Sequence, residues 1–304
     1  MIVRPRPHWL RLLFVWRGSL LLRILPQLAL VVLLASAVTL SHGELADRKI
    51  TLTATPFTLI GIALAIFLAF RNNASYDRYW EARKLWGVLL IESRALARQL
   101  LTLPKQAPEH THAAIDLIIA SVVALRQQLR EENKPAELAG WMSAAEFARL
   151  QAARAKPSFI LLLLGERLRA LREAGALSDW LLPPLEAHID ALSAAIGGCE
   201  RIAGTPLPFA YSVILHRTVY MFCALLPFGL VDSIGAMTPL MVGFVAYTFF
   251  ALEAIGEEIE EPFGTSANDL PLDALSRGIE LNLRELRGET DLPLPPQPID
   301  FILR

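Results

Sequence analysis

Residues 56–70 carry no charged side chain, and the stretch that follows at once presents Arg71, Asp77, Arg78, Glu81, Arg83 and Lys84. No other feature constrains the fold as much as this border. The charge-free stretch, about 15 residues, is short of the roughly 20 that a helix needs to cross a hydrocarbon core. One reading of it is a buried core helix. The other is a membrane helix whose inner end emerges into water as a longer polar helix, and the abruptness of the switch favours this second reading.

Composition agrees. The chain has 304 residues, 54% of them hydrophobic, with a mean hydropathy of +0.41; soluble domains are usually about 45–50% apolar. Because 19% of residues are charged, only part of the chain can lie in lipid. A net charge of −1 argues against a nucleic-acid binder, which carries a strong basic excess. Cys199 and Cys223 belong to no spaced framework and read as unpaired, half-buried thiols.

Taken in order, the chain reads as helices throughout. Arg4, Arg6, Arg11, Arg17 and Arg23, interleaved with Trp9, Phe14 and Trp16, predict an interfacial helix over residues 1–23, because indoles and long cationic side chains suit the headgroup layer. The spread of Arg over more than twenty residues, with no small-x-small site following cleanly, argues against a cleaved leader. Residues 24–40 form a first span, a polar loop follows with Glu44 and Asp47 offsetting Arg48 and Lys49, and residues 56–70 form a second. A polar-apolar mosaic of helical period then runs to about residue 208, broken at Pro104, Pro108, Pro135, Pro157 and Pro183-Pro184. Residues 218–231 and 240–252 make a second pair of apolar runs, and the tail is helical over 272–286 before a Pro-rich end that lies on another surface or stays free.

The expected fold is all-α, with four transmembrane helices continuous with a large cytosolic helical domain. Its parts are an N-terminal helix and first hairpin over 1–70, the cytosolic domain over 71–208, a second hairpin over 209–256 and a cytosolic segment over 257–304. Lys and Arg crowd the N-terminal arm and the stretch after the second span, and only Arg48 and Lys49 lie in the hairpin turns. Both termini and the central block are therefore expected in the cytoplasm, and the expected location is the plasma membrane, which is the inner membrane if the cell is bacterial.

An enzyme reading finds no support, since HExxH, GxSxG, GxxxxGK[ST] and GxGxxG are all missing. His110 and His112 lie in a Pro- and Glu-rich loop and read as solvated; His188 and His216 read as structural. The stronger signal is acidic: Glu253, Glu257, Glu258, Glu260 and Glu261. Glu253, Glu257 and Glu261 share a helix face, where like charges four apart repel by a few tenths of a kcal/mol per pair. Pairing with the Arg-rich arm or with Arg71 to Lys84 would offset this. So would a divalent cation, Ca²⁺ or Zn²⁺, or an aqueous vestibule in an oligomer; Asn268 and Asp269 add oxygens nearby of the kind Ca²⁺ takes. No cofactor is otherwise required. On the second span Ile62, Ile66 and Phe70 make a stripe at i, i+4, i+8, with Gly61, Ala63, Ala65 and Ala69 as small residues on the opposite surface that admit close neighbours. In isolation the stripe faces lipid; around an axis of several copies it becomes a narrow apolar neck, of the kind that gates by dewetting.

Several segments resemble the bestrophin family of ion channels, in its shorter prokaryotic branch. They are Trp16-Arg17-Gly18-Ser19, similar to the family's W-R-G-S; Ile62, Ile66 and Phe70; the run from Pro206 to Tyr211; and Glu261-Pro262-Phe263-Gly264 in place of N-P-F-G. The resemblance covers nearly the whole chain and implies a homopentamer in the bilayer around one axial pore, with Ile62, Ile66 and Phe70 lining its neck. Trp180, where the family has a smaller aliphatic, would stand near a second, cytosolic constriction. Glu258, Glu261, Ser266 and Asp269 correspond to the family's calcium clasp, with Ser266 replacing a carboxylate. The animal members pass chloride and other small anions and prokaryotic ones prefer monovalent cations, towards which the acidic cluster leans where it faces the pore. The reading is thus a channel passing small monovalent ions passively. The alternative is a membrane-anchored scaffold or sensor without ion flux, and a transporter ranks last because no internal repeat relates the two hairpins.

Overall fold

The computed structural model describes residues 1–5, 8–16, 18–45, 48–49, 52–105 and 107–304. Arg6 and Arg17 of the basic arm, the latter also the Arg of the W-R-G-S element, and Asp47 of the polar loop lie outside the described residues. The fold is all-α; a two-residue antiparallel ladder, Glu44 opposite Lys49 and Leu45 opposite Arg48, is the sole named sheet among the described residues.

In chain order the helices are α1 (Trp9–Leu12), α2 (Leu21–Leu40), α3 (Ala54–Thr102), α4 (Pro108–Leu129), α5 (Pro135–Ala139), α6 (Ala144–Gln151), α7 (Lys156–Glu173), α8 (Leu182–Gly204), α9 (Phe209–Ile234), α10 (Thr238–Glu260) and α11 (Leu272–Leu286). The prolines that punctuate the sequence mostly open helices. Pro108, Pro135, Pro157 and Pro183 each sit in a first helical turn, where the missing N–H has no intrahelical partner to lose and the ring presets φ. Two compact units result: Pro5–Tyr79 with Pro206–Glu261, and Met1–Arg4 with Trp80–Thr205 and Pro262–Arg304. The helix α3 contributes its first half to one unit and its second half to the other.

The first unit is built from α2, the first half of α3, and the pair α9 and α10. Three described stretches are long and apolar enough to cross a membrane: Leu21–Leu40, Thr55–Thr102 and Phe209–Glu260. The last is interrupted by a 3-10 turn at Gly235–Met237, where Gly235 takes φ +50° and lets the chain reverse between α9 and α10. The unit's core joins Ile24, Val31 and Ala35 of α2 to Leu64 and Leu68 of α3, Val219, Phe222 and Leu226 of α9, and Val242, Ala246 and Phe250 of α10. Glycines set the closest approaches. A side chain at Gly229 would meet the Phe57 ring at 2.6 Å, and one at Gly243 would meet Val32 at 3.0 Å.

The interfacial helix expected over residues 1–23 is much shorter, the single turn of α1. His8 caps its start through Nδ1, and Gly18 at φ +77° breaks any continuation. Trp9, Leu12, Leu13, Phe14 and Trp16 are all exposed. The small residues of α3 also differ from expectation: Ala63, Ala65 and Ala69 are exposed, and a Cβ at Gly61 would stand 3.4 Å from the Phe222 ring. The buried positions are the larger Leu64 and Leu68, whose side chains fill the core rather than let backbones touch.

The second unit packs around α4. From Leu117 to Leu125 every side chain on it is buried, as befits a helix that is apolar or small all round. Its polar C-terminal end ties down neighbours: Arg130 donates to Asp273 of α11 at 2.6 Å, and Gln127 donates to the carbonyl of Lys134 and to Glu137 of α5. The Pro-rich tail folds back within this unit. Leu303 N–H donates to the Met1 carbonyl, Ala274 N–H to the Arg304 carbonyl, and the Arg4 guanidinium lies 4.5 Å over the Phe301 ring.

Candidate functional site

At about 100° per residue, side chains at i, i+4 and i+7 share one side of a helix. On α3, Leu64, Leu68, Arg71 and Ser75 follow this rule on the buried side, each at most 4% exposed. Ile62, Ile66 and Phe70 lie on the opposite side and are 56%, 50% and 62% exposed. The structure therefore brings the three expected neck residues into one stripe and turns it away from the helix's own unit. Asn73 and Asp77 continue the same stripe past the charge border, and both are exposed. Sequence reasoning stopped the stripe at Phe70 because the apolar run stops there; the i+3 and i+4 steps beyond it were the signal that would have found the rest.

Trp180 lies in the second unit, on the 3-10 turn Asp179–Leu181, and is 89% exposed. The turn is held by an ion pair of Arg172 with Asp179 at 2.5 Å. The residues expected at a clasp divide between the units. Glu258 and Glu261 belong to the end of α10; Ser266 and Asp269 belong to the turn after Gly264. In that turn Asp269 Oδ2 accepts the Ser266 N–H at 2.7 Å and the Pro262 carbonyl accepts the Leu270 N–H at 2.9 Å. Buried to 4% exposure, the Asp269 carboxylate thus orders its own loop.

Part of the acidic cluster is paired inside the first unit. Glu253 pairs with His216 at 2.7 Å, Glu257 with Arg23 at 2.6 Å and Glu260 with Arg71 at 3.5 Å. Glu260 also accepts the Leu207 N–H through its side chain and donation from Arg78 Nε through its carbonyl. The contacts of Glu257 with Arg23 and of Glu260 with Arg71 and Arg78 are the pairing with the N-terminal arm and with the stretch after the second span that the sequence offered as one reading; the Glu253–His216 pair lies outside it. Among the described residues, no three His, Cys, Asp or Glu side chains converge in a way that could hold a metal ion. His110 and His112 sit in the first turns of α4. His188 bridges Glu92 of α3, at 2.6 Å, and Gln99, at 2.8 Å, within the second unit.

Comparison with known proteins gives one answer. Residues 1–285 match the family model described as bacterial/fungal bestrophin protein. The chain is 50% identical over 294 residues, 96% of each chain, to the voltage-dependent anion channel-forming protein RSc3414 of Ralstonia nicotianae. It is 45% identical, again over 96% of each, to the voltage-dependent anion channel-forming protein YneE of Escherichia coli K12. A crystal structure of a bacterial bestrophin homologue from Klebsiella pneumoniae superposes with a TM-score of 0.85 at 43% identity, covering 88% of this chain and 99% of that one.

Proposed function

This chain belongs to the bacterial and fungal bestrophin family, and from that premise we propose that it is a membrane ion channel whose copies meet around an axis, with α3 lining the pore. It is a membrane protein and not an enzyme. In this reading five copies assemble, α2, the first half of α3, α9 and α10 span the inner membrane, and both termini face the cytoplasm. The observation that carries the reading is the two-sided character of α3. Its buried side joins the unit's core, while Ile62, Ile66 and Phe70 stand exposed on the side opposite. Only 17% of the apolar stretch of this helix is buried within the chain, so most of its apolar surface is open to a further apolar partner. Copies of the same stripe would leave a dry throat that an ion crosses only by shedding water. Conduction so described is passive and needs no cofactor. Trp180, exposed on its turn, would form the second constriction.

Small monovalent ions fit such a throat. The relatives' names specify anions, and the proposal takes small anions such as chloride as the first permeant class. A second reading, monovalent cations, is favoured by one observation: Asn73 and Asp77 prolong the neck stripe, so copies would set a ring of carboxylates just beyond it. The cluster from Glu253 to Glu260 adds less to that reading, because Arg23 and Arg71 pair with Glu257 and Glu260.

The test is flux from liposomes containing the purified protein under potassium, sodium and chloride gradients. Flux is expected, and Ile66→Ser should raise it several-fold by wetting the neck. An absence of flux under every gradient would favour the membrane-anchored scaffold, and unchanged flux in the Ile66 variant would remove that residue from the pore.

A further inference from the structure

The second half of α3, from Trp80 to Thr102, belongs to the second unit. Ala82, Trp86, Leu89, Ser93 and Leu96 line its inward side, each at most 2% exposed. The opposite side carries Lys84, Ile91, Arg94 and Arg98, all exposed. Charge is sorted between these sides. The two carboxylates of this half-helix are both engaged within the unit, Glu81 by Arg201 and Glu92 by His188, each on α8. Arg83 lies over the Trp80 ring at 5.5 Å. The side chains of Lys84, Arg94 and Arg98 form no ion pair among the described residues. Arg94 and Arg98 stand four apart, where like charges repel, and no carboxylate lies three or four residues from either. The outward side thus holds three unmatched positive charges and no unpaired carboxylate.

What this side faces follows from the period of one uninterrupted helix. At 3.6 residues per turn, Lys84 falls five turns after Ile66 and Arg98 ten turns after Ile62, so both continue the side that holds the neck stripe. With a rise of 1.5 Å per residue, Lys84 lies about 21 Å and Arg98 about 42 Å along the helix beyond Phe70. Given α3 as the pore-lining helix, the reading on which this rests, we infer that Lys84, Arg94 and Arg98 of all copies form a basic wall beyond the neck. This wall gathers small anions such as chloride and turns monovalent cations away, so that these residues, rather than the uncharged neck, set the preference between them. Rings of Lys and Arg favour anions in this way, because a passage with low-dielectric walls focuses their field. Both side chains hold their charge at any physiological pH. Asp77 lies on the same side between the neck and Lys84, and each copy therefore sets three positive charges against one negative.

Purified full-length protein in planar lipid bilayers tests this, through the reversal potential under a potassium chloride gradient at about 0.15 M and again at about 1 M salt. Lys84→Gln, Arg94→Gln and Arg98→Gln together should lower the chloride-to-potassium permeability ratio about threefold at the lower salt. Each single variant should lower it by less, and Arg98→Lys should keep the parent's ratio. At the higher salt, where charges are screened within about 3 Å, parent and triple variant should converge. Since the three side chains have no partner in the chain to lose, the variants should elute and melt as the parent does. A parent that conducts and a triple variant whose ratio does not move overturn the inference and leave the channel reading standing. So does a change of equal size at both salt concentrations, which marks an altered structure rather than an altered field. A triple variant that separates into single chains places the three residues in contacts between copies and overturns the inference as well. A parent that passes no ion under any gradient overturns the channel reading itself, and the basic wall with it.

Discussion

Gly229 has no side chain because Phe57 fills the space, with the nearest ring carbon 2.6 Å from where a Cβ would stand. Gly229→Ala must therefore displace the ring and with it the start of α3, and overpacking of this kind costs about 1–3 kcal/mol. A lower melting temperature in detergent should follow, and adding Phe57→Leu should recover part of the loss, since neighbouring sites couple. Cys199 makes a different point. It is fully buried on α8, and burial, with help from the nearby charges of Glu200 and Glu81, pushes its thiol up to about 12. The reactive thiolate is then scarce at neutral pH. Labelling with iodoacetamide at pH 8 should leave Cys199 unmodified in the folded protein and modify it readily in denaturant.

At the scale of one element, α6 is a short helix that depends on its start. Ser143 Oγ accepts the Glu146 N–H at 3.3 Å and Glu146 Oε2 accepts the Ser143 N–H at 2.9 Å, a reciprocal capping box. Burial works to raise the Glu146 carboxyl, but the hydrogen bonds from Ser143 and the Arg167 guanidinium outweigh it, and the group lies below its ordinary 4.5. A carboxyl lowered on folding contributes stability that is complete above 4.5 and is lost as pH falls through the lower folded value. The first-turn amides of α6 should lose hydrogen-exchange protection on acidification below about pH 4 while those of α4 keep theirs. Glu146→Ala, which removes the accepting oxygen, should show the weaker protection already at pH 7, by about 1 kcal/mol. The helix α3 shows what an element's two sides decide. Its buried stripe and its exposed stripe share one period, and the proposed pore depends on which of them the rest of the unit covers.

For the whole molecule, the prediction concerns charge selection. If copies of α3 surround the permeation path, Asp77→Asn removes one carboxylate per copy just past a neck that has no charge of its own. The reversal potential under a potassium chloride gradient should then shift towards chloride, with little change in the flux barrier set by Ile66; an unmoved potential would show that Asp77 does not face the ions. How much of this was legible in the sequence follows from the range of the forces involved. Several helix starts were, because they depend on groups within a turn of each other: Pro108, Pro135, Pro157 and Pro183 open helices, and α11 runs over the expected residues 272–286, whereas the helix expected over 1–23 shrank to α1 and the runs 218–231 and 240–252 lie inside longer helices. The charge border at Arg71, the all-α class and the segments that resemble bestrophins were also open to reading, since each is a property of one continuous stretch. Tertiary structure alone decided that Leu64 and Leu68 face inward while Ile62 and Ile66 do not, and that Glu257 meets Arg23 from 234 residues away. Those outcomes depend on which surfaces meet, and one helix has several faces that its own residues leave equally available until its neighbours are in place.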